Sequence, residues 1–345
     1  GYARLTRGPG VAIVTAGPGV TDAVTGIANA FQAQAPLVVL GGAAEIRSVG
    51  RGALQEMEQL PMMRSITKWC ATVTDPRRMR EYVQTALRLS MTGIPGPTFL
   101  ELPFDMLVTQ VEDAVVPPPL PVLPRSQADP ADVERVAGML RAAQRPVLFV
   151  GSQLWWDDAA AALRSLVERI GVPVVMNAMG RGGLPAGHKL ALNHARKRAF
   201  RGTDLAIIIG TPLDFRVGFG AGINASAKIV QIDRDPTQLG KTRVTDAALA
   251  GNAQLVLGQI EAALHDDAAR IREALAPWRA DLEQEEKKRA AEVNGHLAAT
   301  GRPINHYQLS AALATALGAE GENGVAEDVI LIGDGADVVA LGSKV

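Results

Sequence analysis

The 345-residue sequence predicts an α/β protein of two parallel sheets, with the first strand–helix unit of a third domain at its end. Three observations carry this. Short apolar runs alternate with stretches of helical period up to about residue 107. The same alternation resumes at residue 129. A proline-rich segment separates the two. Alternation of this kind makes a parallel sheet covered by helices, because parallel neighbours need a crossover long enough to hold a helix.

Residues 11–15 form the first apolar run. Gly17-Pro18-Gly19 then turns the chain without a bulky side chain, and Val20, Val24, Ile27 and Phe31 follow on one helical face. Gly26 and Ala30 among them would let another backbone approach. A strand, a glycine turn and a helix start expose unpaired N–H groups at a dipole's positive end. That turn suits a polar ring or an anion, and an ordinary strand–helix connection reads the same way. Residues 36–40 (PLVVL) and 98–102 (TFLEL) are further strands, with a helix over 79–90 between them.

Pro117, Pro118, Pro119, Pro121 and Pro124 make an extended, stiff linker. Beyond it the pattern predicts helices at 130–143 and 159–170. Strands follow at 146–150, 172–177, 205–210 and 228–233. This is a Rossmann-like domain of five or six strands, and the absence of GxGxxG argues against an NAD-dependent dehydrogenase. Strand 228–233 ends in Asp233-Arg234-Asp235, where a carboxylate can meet a nucleotide ribose or cap the next turn. A polar helix over 277–298 carries Glu283/Lys287 and Glu285/Arg289 pairs, a solvated face. A helix over 305–317 and a strand over 328–332 ending in Gly333-Asp334-Gly335 open a third unit. The resulting division is residues 1–115, a linker at 116–128, then 129–298 and 299–345.

Composition excludes several classes. Thirty-five basic and 36 acidic residues leave a net charge of −1, so no global field recruits nucleic acid or an anionic membrane. The single cysteine, Cys70, rules out a disulfide framework and a cysteine zinc cluster, and points to the cytoplasm. No apolar run approaches the roughly 18 residues of a membrane span.

In order along the chain stand GYAR, TAGPGVTDAVTGIANA, GRGALQE, RSITK, GPTFLELPFDML, GTPLDFRVGFG and VQIDRDPTQLGK. This series resembles the thiamine-diphosphate-dependent enzymes of the acetolactate synthase group and their 2-hydroxyacyl-CoA lyase and oxalyl-CoA decarboxylase relatives. The resemblance implies a pyrimidine-binding domain over 1–115, a central domain over 129–298 and the start of a diphosphate-binding domain from 299. It implies a homodimer or homotetramer whose active site lies between subunits, with residues 11–55 at the interface. The chemistry it implies is decarboxylation of a pyruvate-like 2-keto acid, whose enamine joins a second carbonyl, or cleavage of a 2-hydroxyacyl-CoA. Branched-chain amino acid biosynthesis is the expected setting. A catalytically dead nucleotide-binding or regulatory protein of the same fold is the alternative.

Carried over residue by residue, Gln55 matches a glutamine facing cofactor and substrate, and Lys68 a lysine at the site's mouth that draws in an anionic substrate. Gly17, Pro18 and Gly19 line the pyrimidine, and Gln34 contacts it across the interface. Leu54 stands where acetolactate synthases have phenylalanine, and Asp22 replaces an asparagine. Asp214 and Arg216 match a flavin region, and Asp233 and Arg234 its adenosine contacts. Leu192-Asn193-His194-Ala195 lacks a flavin loop and Ile94 replaces an arginine, so the central domain is expected to take FAD, ADP or nothing. The family's catalytic glutamate is expected about nine residues before GYAR, ahead of Gly1. Mg2+ is expected through the third domain, with Asp334 not among its ligands. The chain thus reads as a fragment that is inactive alone.

Overall fold

The computed structural model describes residues 1–112, 115–119 and 124–317. They form two compact units, Gly1–Arg125 and a second from Ser126 onward. In the first, α1 (Tyr2–Thr6) leads to β1 (Gly10–Val14), α2 (Pro18–Gln32), β2 (Leu37–Ala43), α3 (Gln59–Arg64), β3 (Trp69–Thr72), α4 (Met79–Met91), β4 (Pro97–Pro103) and α5 (Phe104–Val108). The strands pair in the order β1-β2-β4-β3, all parallel. Pro18 opens α2 with its φ already suited to a helix and no N–H to lose. Val20 and Ile27 from the expected face are buried with Val39, Met63 and Phe99, while Phe31 at the end of that face is 37% exposed. Gly26 stands open, with nothing within 4 Å of its Cβ position.

In the second unit, α6 (Pro130–Ala142), β5 (Pro146–Val150), α7 (Gln153–Trp156), α8 (Ala160–Ile170), β6 (Val174–Met176), α9 (Arg196–Gly202), β7 (Leu205–Ile209), β8 (Lys228–Asp233), β9 (Ala247–Ala250), α10 (Ala253–Ala263), α11 (Ala268–Ala274), α12 (Ala276–Leu297) and α13 (His306–Ala316) follow. The parallel order is β6-β5-β7-β8-β9. Helix ends obey local chemistry. Asp129 caps α6 through the Ala131 N–H ahead of Pro130, Gly171 closes α8 at φ 71, and Asn252 caps α10. Alternate residues of β5 serve the two faces: Leu148 and Val150 pack under α6, α8 and α10, and Val147 and Phe149 against α9 and α12.

The sheets are parallel, as the alternation requires. Two strands lie outside the sequence expectation: β3 (WCAT) and β9 (AALA), each four residues long with no strong apolar run. The strand expected at 172–177 is shorter, Val174–Met176. The polar helix α12 does more than face solvent. It buries Trp278 and Leu282, and the Trp278 indole N–H donates to the Pro146 carbonyl at 3.0 Å. Asn305 and Gln308 cap each other at the start of α13, and His296 of α12 stacks on Tyr307 at 5.1 Å. The expected strand at 328–332, Gly333-Asp334-Gly335 and the linker proline Pro121 lie outside the described residues.

Candidate functional site

The C-terminal ends of β1, β2, β4 and β3 meet in one polar cluster. Gly17, at φ 59, makes the turn into α2, and a Cβ there would stand 2.8 Å from the Gln55 carbonyl oxygen. Only glycine combines that backbone with that approach. A Cβ on Gly19 already sits inside the fold's tolerance only if Thr15 yields, being 2.7 Å from its Cγ2. Gln55 is itself left-handed at φ 59, with an exposed side chain whose Oε1 accepts from the Thr15 hydroxyl at 3.4 Å. The loop before it is drawn in by Glu56. Its carboxylate accepts from the N–H groups of Gly50, Gly52 and Ala53, and those of Gly50 and Ala53 chiefly hold it below the usual carboxylate range. Gly50 and Gly52, both at φ 77, aim those N–H groups inward.

The residue joining these pieces is one that the sequence did not single out. Gln59 is 2% exposed. Its Oε1 accepts from the Gly17 N–H at 3.2 Å, and its Nε2 donates to the Gly42 carbonyl and the Glu101 carboxylate, both at 3.0 Å. Glu101 also accepts from the Thr72 hydroxyl at 2.5 Å. One glutamine therefore ties the glycine turn to the ends of β2 and β4, and through Glu101 to β3. Glutamine beside an apolar helix carries no periodic signal of burial, and only the charged residue inside strand TFLEL hinted at an interior partner.

Two expected site residues are not on this edge. Gln34 follows α2 and precedes β2, so the 15-residue helix puts it about 22 Å from Gly17, at the sheet's opposite edge. Lys68 immediately precedes β3, and its backbone N–H bonds to the Pro97 carbonyl at the start of β4, again the opposite edge. Its ammonium donates to the Leu89 and Thr92 carbonyls at 2.6 and 2.5 Å, closing the C-terminus of α4. The structure therefore does not bring Lys68, expected at the mouth of the site, together with Gln55. Leu54 is 86% exposed at the Gln55 edge, and Asp22 is exposed on α2.

The second unit brings Asp214, Arg216, Asp233 and Arg234 to the C-terminal edge of its own sheet, already engaged. Burial raises the Asp214 carboxyl, but the Arg216 side-chain and backbone N–H bonds outweigh it and hold the group below its usual range. Asp233 is 5% exposed and accepts from Gln153 Nε2 at 2.5 Å and the Asp235 N–H at 2.8 Å. Burial pushes it up to about 6 against those bonds. Gln153, itself 4% exposed, accepts from the Arg234 N–H, whose guanidinium reaches Asp157 at 3.2 Å. Both bonds fall on Oδ1 of Asp233. Asn193 of the shortened loop accepts from the Met176 N–H at 2.8 Å, which binds the loop to β6. Among the described residues no three His, Cys, Asp or Glu side chains converge as a metal site, and no helix is long and apolar enough to cross a membrane.

Comparison with known proteins finds relatives that span both units. Residues 1–62 match the family model for the thiamine pyrophosphate enzyme N-terminal TPP-binding domain, and residues 133–260 the model for the central domain. A probable acetolactate synthase of Mycobacterium bovis is 38% identical over 261 residues, covering 75% of this chain and 48% of that protein. Human 2-hydroxyacyl-CoA lyase 2 is 36% identical over 275 residues, covering 69% of this chain and 43% of its own length. The Caenorhabditis elegans 2-hydroxyacyl-CoA lyase 2 is 30% identical over 385 residues, 98% of this chain and 57% of its own. The chain thus spans about half the length of the curated relatives it matches.

Proposed function

The chain belongs to the thiamine pyrophosphate enzymes and carries their N-terminal and central domains; from that premise we propose that its protein makes or breaks a carbon–carbon bond at a carbonyl carbon. The donor is a 2-keto acid such as pyruvate, decarboxylated and joined to a second carbonyl, or a 2-hydroxyacyl-CoA cleaved between C1 and C2. One observation carries the reading: Gly17, Gly19 and the exposed Gln55 amide form a side-chain-poor, polar cradle held rigid by Gln59.

The residues present fit an aminopyrimidine ring. Gly17 and Gly19 keep two of the three turn positions free of side chains, with Gln55 packed against Gly17, and the Gln55 amide can both donate and accept. Thiamine diphosphate, when bound, supplies an electron sink for the bond adjacent to the carbonyl. Gln55 orients the ring and the reacting carbonyl without changing charge. Gln59 keeps the Gly17 turn in register. Residues 1–115 serve as the pyrimidine-binding domain, 129–298 as the central domain, and residues from 299 as the start of the domain that holds the diphosphate with Mg2+.

In the central domain ADP is favoured over FAD, since Asp214 and Arg216, the pair matched to the flavin region, satisfy each other. The working form is a cytoplasmic homodimer or homotetramer. Support comes from the exposed Val11, Ile13, Val49 and Leu54, 59, 76, 63 and 86% accessible, which a second subunit would cover. The test is turnover by the protein carrying this chain, with thiamine diphosphate and Mg2+. Carbon dioxide released from a 2-keto acid, or cleavage of a 2-hydroxyacyl-CoA, is the expected result; neither reaction occurring overturns the reading.

A further inference from the structure

Gln55 is exposed, yet its backbone is left-handed at φ 59, a region that costs energy for any residue bearing a side chain. Its carbonyl oxygen, Cβ and Cα lie 2.8, 3.1 and 3.3 Å from where a Cβ on Gly17 would stand. The Thr15 hydroxyl donates to its amide oxygen at 3.4 Å. A bond that long is too weak to fix an exposed side chain, or to keep the backbone beneath it in a strained well. Another group must do so.

The next residue is that group. Glu56 Oε1 accepts from the Gly50 N–H, and Oε2 from the Gly52 and Ala53 N–H groups at 3.2 and 3.0 Å. The Glu56 N–H in turn donates to the Ala53 carbonyl at 3.2 Å. One residue therefore closes the segment 50–56 with both its backbone and its side chain. Gly50 and Gly52 have nothing within 4 Å of their Cβ positions, so no neighbour requires glycine there. Their φ of 77 does, and it turns their N–H groups toward Glu56. Hydrogen bonds to an ionised carboxylate are the strong kind. Gln55 thus sits between two ties. Gln59 fixes the Gly17 turn on which it packs, and Glu56 fixes the loop that carries it.

We propose that Glu56 is a positioning residue. Its carboxylate closes residues 50–56 and so holds the Gln55 amide toward the cradle, without itself touching cofactor or substrate. The catalytic consequence rests on the reading of Gln55 as a ligand-facing residue; the closure of the loop does not.

Two measurements test it. Hydrogen exchange on this chain reads the closure with no cofactor present. Glu56→Ala should speed exchange over residues 50–56 by at least about tenfold. Glu56→Gln keeps one acceptor oxygen and should speed it less. Glu58→Gln removes the neighbouring exposed charge and should change it by less than about threefold. Steady-state kinetics of the protein carrying this chain, with thiamine diphosphate and Mg2+, read the positioning. Glu56→Ala should lower kcat and kcat/KM together by at least about tenfold. The double variant Gln55→Ala/Glu56→Ala should be no slower than Gln55→Ala alone, because a residue acting only through Gln55 then has nothing to position. A residue serving stability alone would add its loss to that of Gln55→Ala. Exchange unchanged in Glu56→Ala, or additive losses in the double variant, overturn the proposal. No turnover by the wild type overturns the thiamine reading, and the catalytic consequence with it; exchange still decides whether Glu56 holds the Gln55 loop.

Discussion

Replacing Gln59 with alanine should loosen the Gly17 turn selectively. The side chain is 2% exposed and makes three hydrogen bonds. Its removal leaves the buried Gly17 N–H without its acceptor, at about 1–3 kcal/mol. The Gly42 carbonyl and Glu101 are half-buried, and Glu101 keeps Thr72, so they add only about 1 kcal/mol together. A total near 3 kcal/mol corresponds to about 100-fold faster opening. Hydrogen exchange read on peptides spanning 15–20 and 37–43 is the suitable assay, because a chain of two compact units has no single unfolding midpoint. Gln59→Glu sharpens the test. Its carboxyl would face Glu101 where an amide donor had been, and two carboxylates sharing a site resist ionisation together. A raised folded-state pKa means stability present below about pH 4 and lost as pH rises through that pKa. Gln59→Glu should therefore approach wild type near pH 4 and be at least as loose as Gln59→Ala at pH 8. Exchange at residues 15–20 within about threefold of wild type in Gln59→Ala, or no recovery of Gln59→Glu in acid, would refute the assignment of Gln59 as the tie.

Three further outcomes are expected. Asp233, raised from 3.8 to about 6 chiefly by burial, supports its unit fully below about pH 4 and loses that support as pH rises through 6. Asp233→Asn should flatten this dependence in urea titrations and stabilise the unit at pH 7 by up to about 3 kcal/mol. Lys68→Met removes the cap on α4 and should cost about 1 kcal/mol while leaving KM unchanged. A KM rise of about tenfold in steady-state kinetics would return Lys68 to the active site. In the protein carrying this chain, Gln55→Ala should lower kcat and kcat/KM together, the signature of a contact made in the transition state. Unchanged kinetics would remove Gln55 from the site.

What the sequence determined by itself was everything that depends on short-range period. Apolar runs such as residues 146–150 and 205–209 are buried on both faces of a parallel sheet, and that arrangement shows in five consecutive letters. The turn at Gly17 was equally legible, because a positive φ and a close approach both demand glycine. Tertiary structure alone decided which edge each loop serves. In a parallel sheet, residues after a strand and residues before one lie at opposite ends. Strand β3 has only four residues and no strong apolar run, so its presence directly after Lys68 went unread, and with it Lys68's place on the far edge. Gln34 directly precedes a recognised strand, and its edge could have been deduced. Gln59 and Gln153 are the converse case. A glutamine is polar to any local pattern, and its burial follows only from partners 42 residues away, Gly17 and Glu101, or 80 away, Asp233. Hydrogen bonds across such separations are satisfied by topology, which periodicity cannot encode.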